Sequence, residues 1–289
     1  MARGEAGQVW RLTTDRGMWA VKESFAPQSV KQASATGSYQ EHLSLHGIPL
    51  PRILRDEDGA YTRQIDGVFV RVFEWVELEQ PDSGLDPAEV GAVVASIHRA
   101  PFPARGPIAA WHTEPLGAAR WHELVRASRA RSAPFADRLA EQVTDWIAVE
   151  KVLRPMRPVQ TCHLDMWADN FRRTTSGEIS VIDWDQAGPA DPCREVAMVL
   201  FEFGRYDRER LRTLQAAYVD AGGPAAVKEA ADFSVAVAQF AHIGERHLSM
   251  WLAPDATDAV KERAVRGIDE LLDAPLDLAT IALILDAVT

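Results

Sequence analysis

The sequence predicts an α+β protein with a small antiparallel-sheet lobe followed by a larger helical lobe. Strand-like runs separated by turn residues are concentrated in the first 76 residues. Beyond Val76 the apolar residues adopt helical spacing over long stretches. Two short apolar runs between the helices each deliver an Asp to a loop, a pattern better suited to chemistry than to packing.

Gln8–Leu12 and Met18–Glu23 read as two strands joined by the turn Thr14-Asp15-Arg16-Gly17. A helix is expected from about Lys31 to His46, ended by Gly47 and by Pro49-Leu50-Pro51. Ile53-Leu54 and Ala60–Arg63 suggest strands around the turn Asp56-Glu57-Asp58-Gly59. Gly67–Val76 is the clearest strand, rich in β-branched and aromatic residues. Helices then follow from Pro87 to Arg99, with Asp86 as N-cap, from about Ala118 to Arg129, and from Pro134 to Leu153. Gln160–His163 and Ile179–Asp183 read as short strands. The remaining helices run at about Arg194–Phe203, Arg208–Ala221, Val227–Trp251 and Asp255–Leu272. The expected division is residues 1–76 as the N-lobe and 77–289 as the C-lobe, with a connector near Glu74–Leu85.

Composition narrows the function. Apolar residues make up 47% of the 289 and charged residues 25%, as in a protein with a packed core. No run is long and apolar enough to span a bilayer, and the N-terminus lacks the apolar centre of a signal peptide. Cys162 and Cys193 form neither a metal-ligand pattern nor a disulfide framework, so a cytoplasmic location is expected. The net charge of −11 disfavours nucleic acid, whose phosphates need a positive surface. It would attract a cationic small molecule, although acids that merely keep a protein soluble give the same total.

The strongest motif is His163-Leu164-Asp165-Met166-Trp167-Ala168-Asp169-Asn170, with the spacing H-x-D-x-x-x-x-N of a kinase catalytic loop. Thirteen positions after Asn170, the run Val181-Ile182 ends in Asp183. Phosphoryl transfer needs an acceptor oxygen in line with the γ-phosphate and cations to offset the phosphate oxygens. An Asn carbonyl and an Asp carboxylate suit Mg²⁺, a hard ion that prefers oxygen ligands. Asn170 and Asp183 are therefore the expected metal ligands. Asp165 is left to orient the acceptor hydroxyl and take its proton, and His163 serves as a buried strut. Asp and Asn are common in turns, but the two motifs in order and at this separation favour the catalytic reading.

The N-lobe supplies the nucleotide side. Trp19-Ala20-Val21-Lys22 places a lysine late on a strand, as phosphate-binding lysines are placed in kinases. Backbone N–H groups of Gly4–Gln8 could cover the phosphates. Glu41, on the following helix, is expected to hold Lys22 by an ion pair. The backbone of Glu74 and Val76, where the lobes should meet, is expected to read the base edge.

Together these residues resemble the aminoglycoside phosphotransferase and choline kinase-like superfamily. The matching pieces are Ala20-Val21-Lys22, His46-Gly47-Ile48-Pro49-Leu50-Pro51, His163–Asn170, and Ile182–Asp185 followed by Gly188-Pro189-Ala190-Asp191-Pro192. They run in family order over about residues 4–205. The resemblance implies a bilobal protein kinase-like fold, ATP or GTP as co-substrate, Mg²⁺, and a small hydroxylated acceptor such as an antibiotic, choline or a sugar. Trp167 stands where protein kinases carry a lysine, and Trp184 where they carry Phe. Only residues 184–190 separate Asp183 from Asp191-Pro192, too few to display a peptide substrate. These departures favour a small-molecule acceptor. Only three residues precede Gly4, whereas the fold of the family begins with a strand leading into the glycine loop. Asp185, Glu202, Glu245, Trp167, Phe203 and Trp251 are candidates to contact the acceptor. A metabolic kinase for choline, a sugar or an amino alcohol is the nearest alternative. A nucleotide-binding pseudokinase is the alternative of another class, opposed by the intact set Lys22, Asp165, Asn170 and Asp183.

Overall fold

The structure, a computed structural model, describes residues 2–3 (backbone only), 7–25 and 29–289. Five strands form an antiparallel sheet in the order β1-β2-β3-β5-β4. They are β1 (Ala2–Arg3), β2 (Gly7–Thr14), β3 (Gly17–Ser24), β4 (Arg63–Ile65) and β5 (Val68–Glu74). The β2–β3 hairpin closes on Thr14, whose hydroxyl accepts the Arg16 N–H, and β1 pairs Ala2 with Val9 and Arg3 with Gln8. Register sets the chemistry of the sheet: Lys22 of β3 lies directly opposite Arg71 of β5, so the two side chains share one face.

Helix α1 (Val30–Leu45) crosses over from the β2–β3 hairpin, and Ser29 caps it by accepting the Gln32 N–H. Residues 53–62 differ from expectation. Ile53 makes only an isolated bridge to Phe73, and the strand after the turn begins at Arg63 instead of Ala60. Asp56 explains this: its carboxylate accepts the N–H groups of Asp58 and Ala60 and keeps that stretch in a turn. Tyr61 then packs on Gly37 of α1, where an added Cβ would sit 2.3 Å from the ring.

The helical part contains α2 (Pro87–His98), α3 (Ala118–Ala130), α4 (Ala136–Val149), α5 (Pro192–Val199), α6 (Arg208–Asp220), α7 (Ser234–Leu252), α8 (Asp258–Asp273) and α9 (Leu278–Val288). Asp86 caps α2 as expected, accepting the Ala88 N–H. Helix α5 begins two residues earlier than expected, because Asp191 caps it and Pro192 fits a first turn. It ends in a π-helical turn over Leu200–Gly204. Helix α7 starts later than expected, after a 3₁₀ turn in which Glu229 and Asp232 cap each other's backbone. Helix α9 has no counterpart in the sequence expectation, because Thr-Ile-Ala-Leu-Ile-Leu is apolar almost throughout and gives no stripe. Trp121, Trp146, Phe135, Phe171, Phe203, Phe233 and Tyr218 are fully buried and centre the core in this part.

Two two-stranded ribbons carry the loops of interest: β6 (Gln160–Cys162) with β9 (Gly188–Ala190), and β7 (Phe171–Arg173) with β8 (Ile179–Val181). The antiparallel sheet followed by helices is a protein kinase-like fold.

Candidate active site

Residues 163–170 leave β6 and return as β7, and the loop is fixed from beneath. Leu164 holds a left-handed backbone (φ 62°), a conformation that costs a bulky residue about 1–2 kcal/mol. Both of its backbone groups are clamped. Its N–H donates to Glu195 Oε1 at 2.5 Å, and its carbonyl accepts from Gln239 Nε2 at 2.6 Å. Glu195 in turn receives His98 Nε2 at 2.8 Å, and Gln239 Nε2 also lies 2.8 Å from His112 Nδ1. His163 is fully buried: its Nε2 bonds the Ile182 carbonyl at 2.9 Å, and its Nδ1 accepts the Asp165 N–H at 3.2 Å. Burial lowers its pKa and keeps it neutral, so it links the two loops without carrying charge.

Asp165 emerges above this platform. Asn170 Nδ2 donates to the Asp165 carbonyl at 2.8 Å and to its carboxylate at 3.0 Å. Burial, and then the charge of Asp183, raises the Asp165 pKa to about 7. The Asn170 N–H groups are thus engaged, while its Oδ1 has no hydrogen bond among the described residues. The Ile182 N–H donates to the Asn170 carbonyl at 2.9 Å and brings Asp183 alongside. Asp183 also takes a left-handed backbone (φ 60°), and its side chain is 42% exposed. An amide oxygen with no hydrogen bond among the described residues and a half-exposed carboxylate make a donor set that fits a hard divalent cation.

Lys22 reaches this point from β3. Its Nζ lies 2.6 Å from Asp183 and 2.9 Å from Asp185. Burial pulls its pKa down, but the two carboxylates outweigh burial and leave it above the ordinary lysine value. The ion pair expected between Glu41 and Lys22 is not formed. Glu41 instead accepts from Arg55 at 2.6 and 3.0 Å and from the Tyr61 hydroxyl at 2.9 Å. The packing of Tyr61 on α1 gives that carboxylate a nearer donor than Lys22. At the connector, the Glu74 side chain pairs with Arg52, and the Trp75 N–H donates to the Met18 carbonyl at 3.2 Å. The Val76 N–H has no hydrogen-bond acceptor among the described residues, so it is free to meet a ligand edge. Residues 4–6 of the expected phosphate cover lie outside the described residues.

Residues 2–230 match the phosphotransferase enzyme family. The chain belongs to that family. No curated protein sequence matches it. Among solved structures, an aminoglycoside phosphotransferase from Alicyclobacillus acidocaldarius superposes with a TM-score of 0.66 at 17% identity, over 99% of this chain and 91% of that one. A spectinomycin phosphotransferase gives 0.67 at 13%, over 99% and 90%. A choline kinase from Streptococcus pneumoniae gives 0.52 at 18%, over 93% and 92%.

In this phosphotransferase the acceptor candidates separate. Trp167 is half-buried in a T-shaped contact with Phe201, and Glu202 accepts the Ala168 N–H at 3.2 Å, so both adjoin the Asp165 loop. Phe203 belongs to the core, Glu245 pairs with Arg120, and Trp251 packs on Phe135. Asp185 is consumed by Lys22 and Arg71. Three important residues escaped the sequence reading: Arg71, Glu195 and Gln239. Arg71 and Gln239 are each a lone polar residue in an apolar run, which is the signal that could have found them, whereas Glu195 follows Arg194 and carries no such signal.

Proposed function

We propose that this small-molecule kinase moves the γ-phosphoryl group of ATP or GTP onto a hydroxyl of a small, cationic acceptor such as an antibiotic. The observation that carries the reading is the Asp165 carboxylate, held by Asn170 and lying beside Asp183 and Lys22. In this reading residues 1–76 bind nucleotide, with Lys22 on the phosphates and the backbone of Glu74 and Val76 at the base. Residues 77–289 carry the catalytic loop and the acceptor.

Asp165 orients the acceptor hydroxyl and takes its proton as the phosphoryl group is transferred. Its bond from Asn170 fixes the carboxylate before the acceptor arrives, so little reorganisation remains. Lys22 offsets charge on the nucleotide phosphates. Asn170 Oδ1 and the Asp183 carboxylate would hold Mg²⁺, which supplies the positive charge that phosphate oxygens need during transfer. A cationic acceptor is supported by the net charge of −11 and by Glu202 next to the loop. It is also in keeping with the spectinomycin and choline named for similar structures.

The test is acceptor-dependent release of ADP or GDP by the purified chain with Mg²⁺. The panel should hold aminoglycosides, spectinomycin, choline, amino alcohols and neutral sugars. Release with an amine-bearing antibiotic supports the reading. Release with choline or an amino alcohol alone moves the enzyme to metabolism. Nucleotide binding without release across the panel favours a pseudokinase.

A further inference from the structure

Lys22 and Arg71 lie directly opposite each other on one face of the sheet, and like charges in that position repel. Arg71 is also 2% exposed, and a guanidinium does not shed its charge on burial. Asp185 resolves both problems. One carboxylate oxygen takes the Arg71 guanidinium and the other takes Lys22 Nζ at 2.9 Å. Burial raises the Asp185 pKa, but Lys22 and Arg71 outweigh burial and keep it below the ordinary carboxylate value. Arg71 is itself located by helix α1, donating to the Ala33 carbonyl at 3.2 Å and the Thr36 hydroxyl at 2.6 Å. Among the described residues, the carboxylates that pair with Lys22 are Asp183 and Asp185, with none from α1.

We propose that Asp185, anchored by Arg71, is the positioning residue that aims Lys22 at the nucleotide phosphates. Helix α1 contributes through Thr36 and Ala33 to the arginine, and not through a glutamate to the lysine. The inference rests on the nucleotide-binding reading above. Its logic is one of exchange. Asp183 is 42% exposed and holds Lys22 by one oxygen only, so a metal there would compete with the lysine for its charge. Asp185 has both oxygens committed to cations, and so it keeps Lys22 in place.

The test is equilibrium titration of the full chain with Mg·ATP, Mg·GTP and, separately, adenosine and guanosine, which carry no phosphate. Asp185→Asn and Arg71→Met are expected to weaken binding of the preferred triphosphate about tenfold each. Binding of its nucleoside should change by less than about twofold, a selectivity that general loosening of the fold would not give. The double variant should be no worse than the poorer single one, because both break the same chain of contacts. Asp185→Glu, which keeps the charge, should recover part of the loss. If Arg71→Met does not fold, Thr36→Val removes an anchor of the arginine with little change of volume, and should weaken triphosphate binding about threefold. Wild-type triphosphate affinity in any folded Arg71 or Thr36 variant overturns the proposal. So does a raised Mg²⁺ requirement in Asp185→Asn alone, which would make Asp185 a metal ligand. If the wild-type chain binds neither nucleotide, the functional reading falls and this inference falls with it.

Discussion

Asp165 and Lys22 face the same cleft, but the backbone beneath them is held in different ways. Under Asp165, the fully or almost fully buried side chains of His163, Glu195 and Gln239 bond the loop at Asp165 and Leu164 and tie it to Ile182 of the neighbouring loop. Under Lys22, strand residues 19–23 are only half-buried, and the lysine is located by carboxylates from across the cleft. Buried hydrogen bonds of the first kind cannot be exchanged for water without a penalty for the groups left behind. Ion pairs of the second kind can be exchanged for a ligand's charges. The Asp165 loop is therefore preorganised, whereas Lys22 is set by partners that a ligand's charges could replace.

The largest effect is expected for Asp183→Asn, which removes the carboxylate that pairs with Lys22 and whose charge raises the Asp165 pKa. Turnover should fall by at least roughly 10²–10³-fold. The thermal midpoint should move little, because the side chain is 42% exposed. Comparable turnover in the variant would remove Asp183 from the reaction centre.

A pH titration of stability sharpens the buried side. Burial lowers the pKa of His112, beneath the loop, to about 4. Its ordinary value is near 6.5, so the unfolded chain binds the proton more readily. The contribution is complete above about pH 6.5 and is lost as pH falls toward 4, up to about 3 kcal/mol. Denaturant unfolding at pH 7 and pH 4.5 should show this loss in wild type and a smaller one in His112→Leu. Equal pH dependence in the two would exclude His112 as the sensitive group.

A smaller effect is expected for Gln239→Leu. The change strands the Leu164 carbonyl and should cost about 1–3 kcal/mol of stability. Because Leu164 precedes Asp165, kcat should fall more than nucleotide affinity does. A loss confined to nucleotide KM would contradict the division between the two sides.

The smallest effect belongs to Glu41→Gln. Its pair with Arg55 is at the surface, where such pairs contribute about 0–1 kcal/mol. Mg·ATP affinity should stay within about twofold. A tenfold loss would restore the lysine–glutamate pairing that the sequence had suggested.

Those residues show where the sequence was legible. That loop 163–170 and Asp183 lie together was readable because the two motifs flank one short antiparallel ribbon, β7–β8. The sheet and most helices were readable because turn chemistry and periodicity are local. Glu41 misled because only the packing of Tyr61 on Gly37, 24 positions apart in sequence, decides which donor it meets. Arg71 and Asp185 meet across 114 positions, a distance over which a single sequence carries no pairing signal. Strands β7 and β9 span three residues each, too few to show a period.

The claim that Asp165 is the catalytic base on a preorganised loop is tested most directly by one paired measurement. It sets kcat, with an acceptor identified in the screen, beside nucleotide Kd for wild type and Asp165→Ala. The expected result is that kcat falls by roughly 10²–10⁴-fold while Kd stays within about threefold. Turnover close to wild type in Asp165→Ala, or a loss of nucleotide binding as large as the loss of turnover, would contradict it.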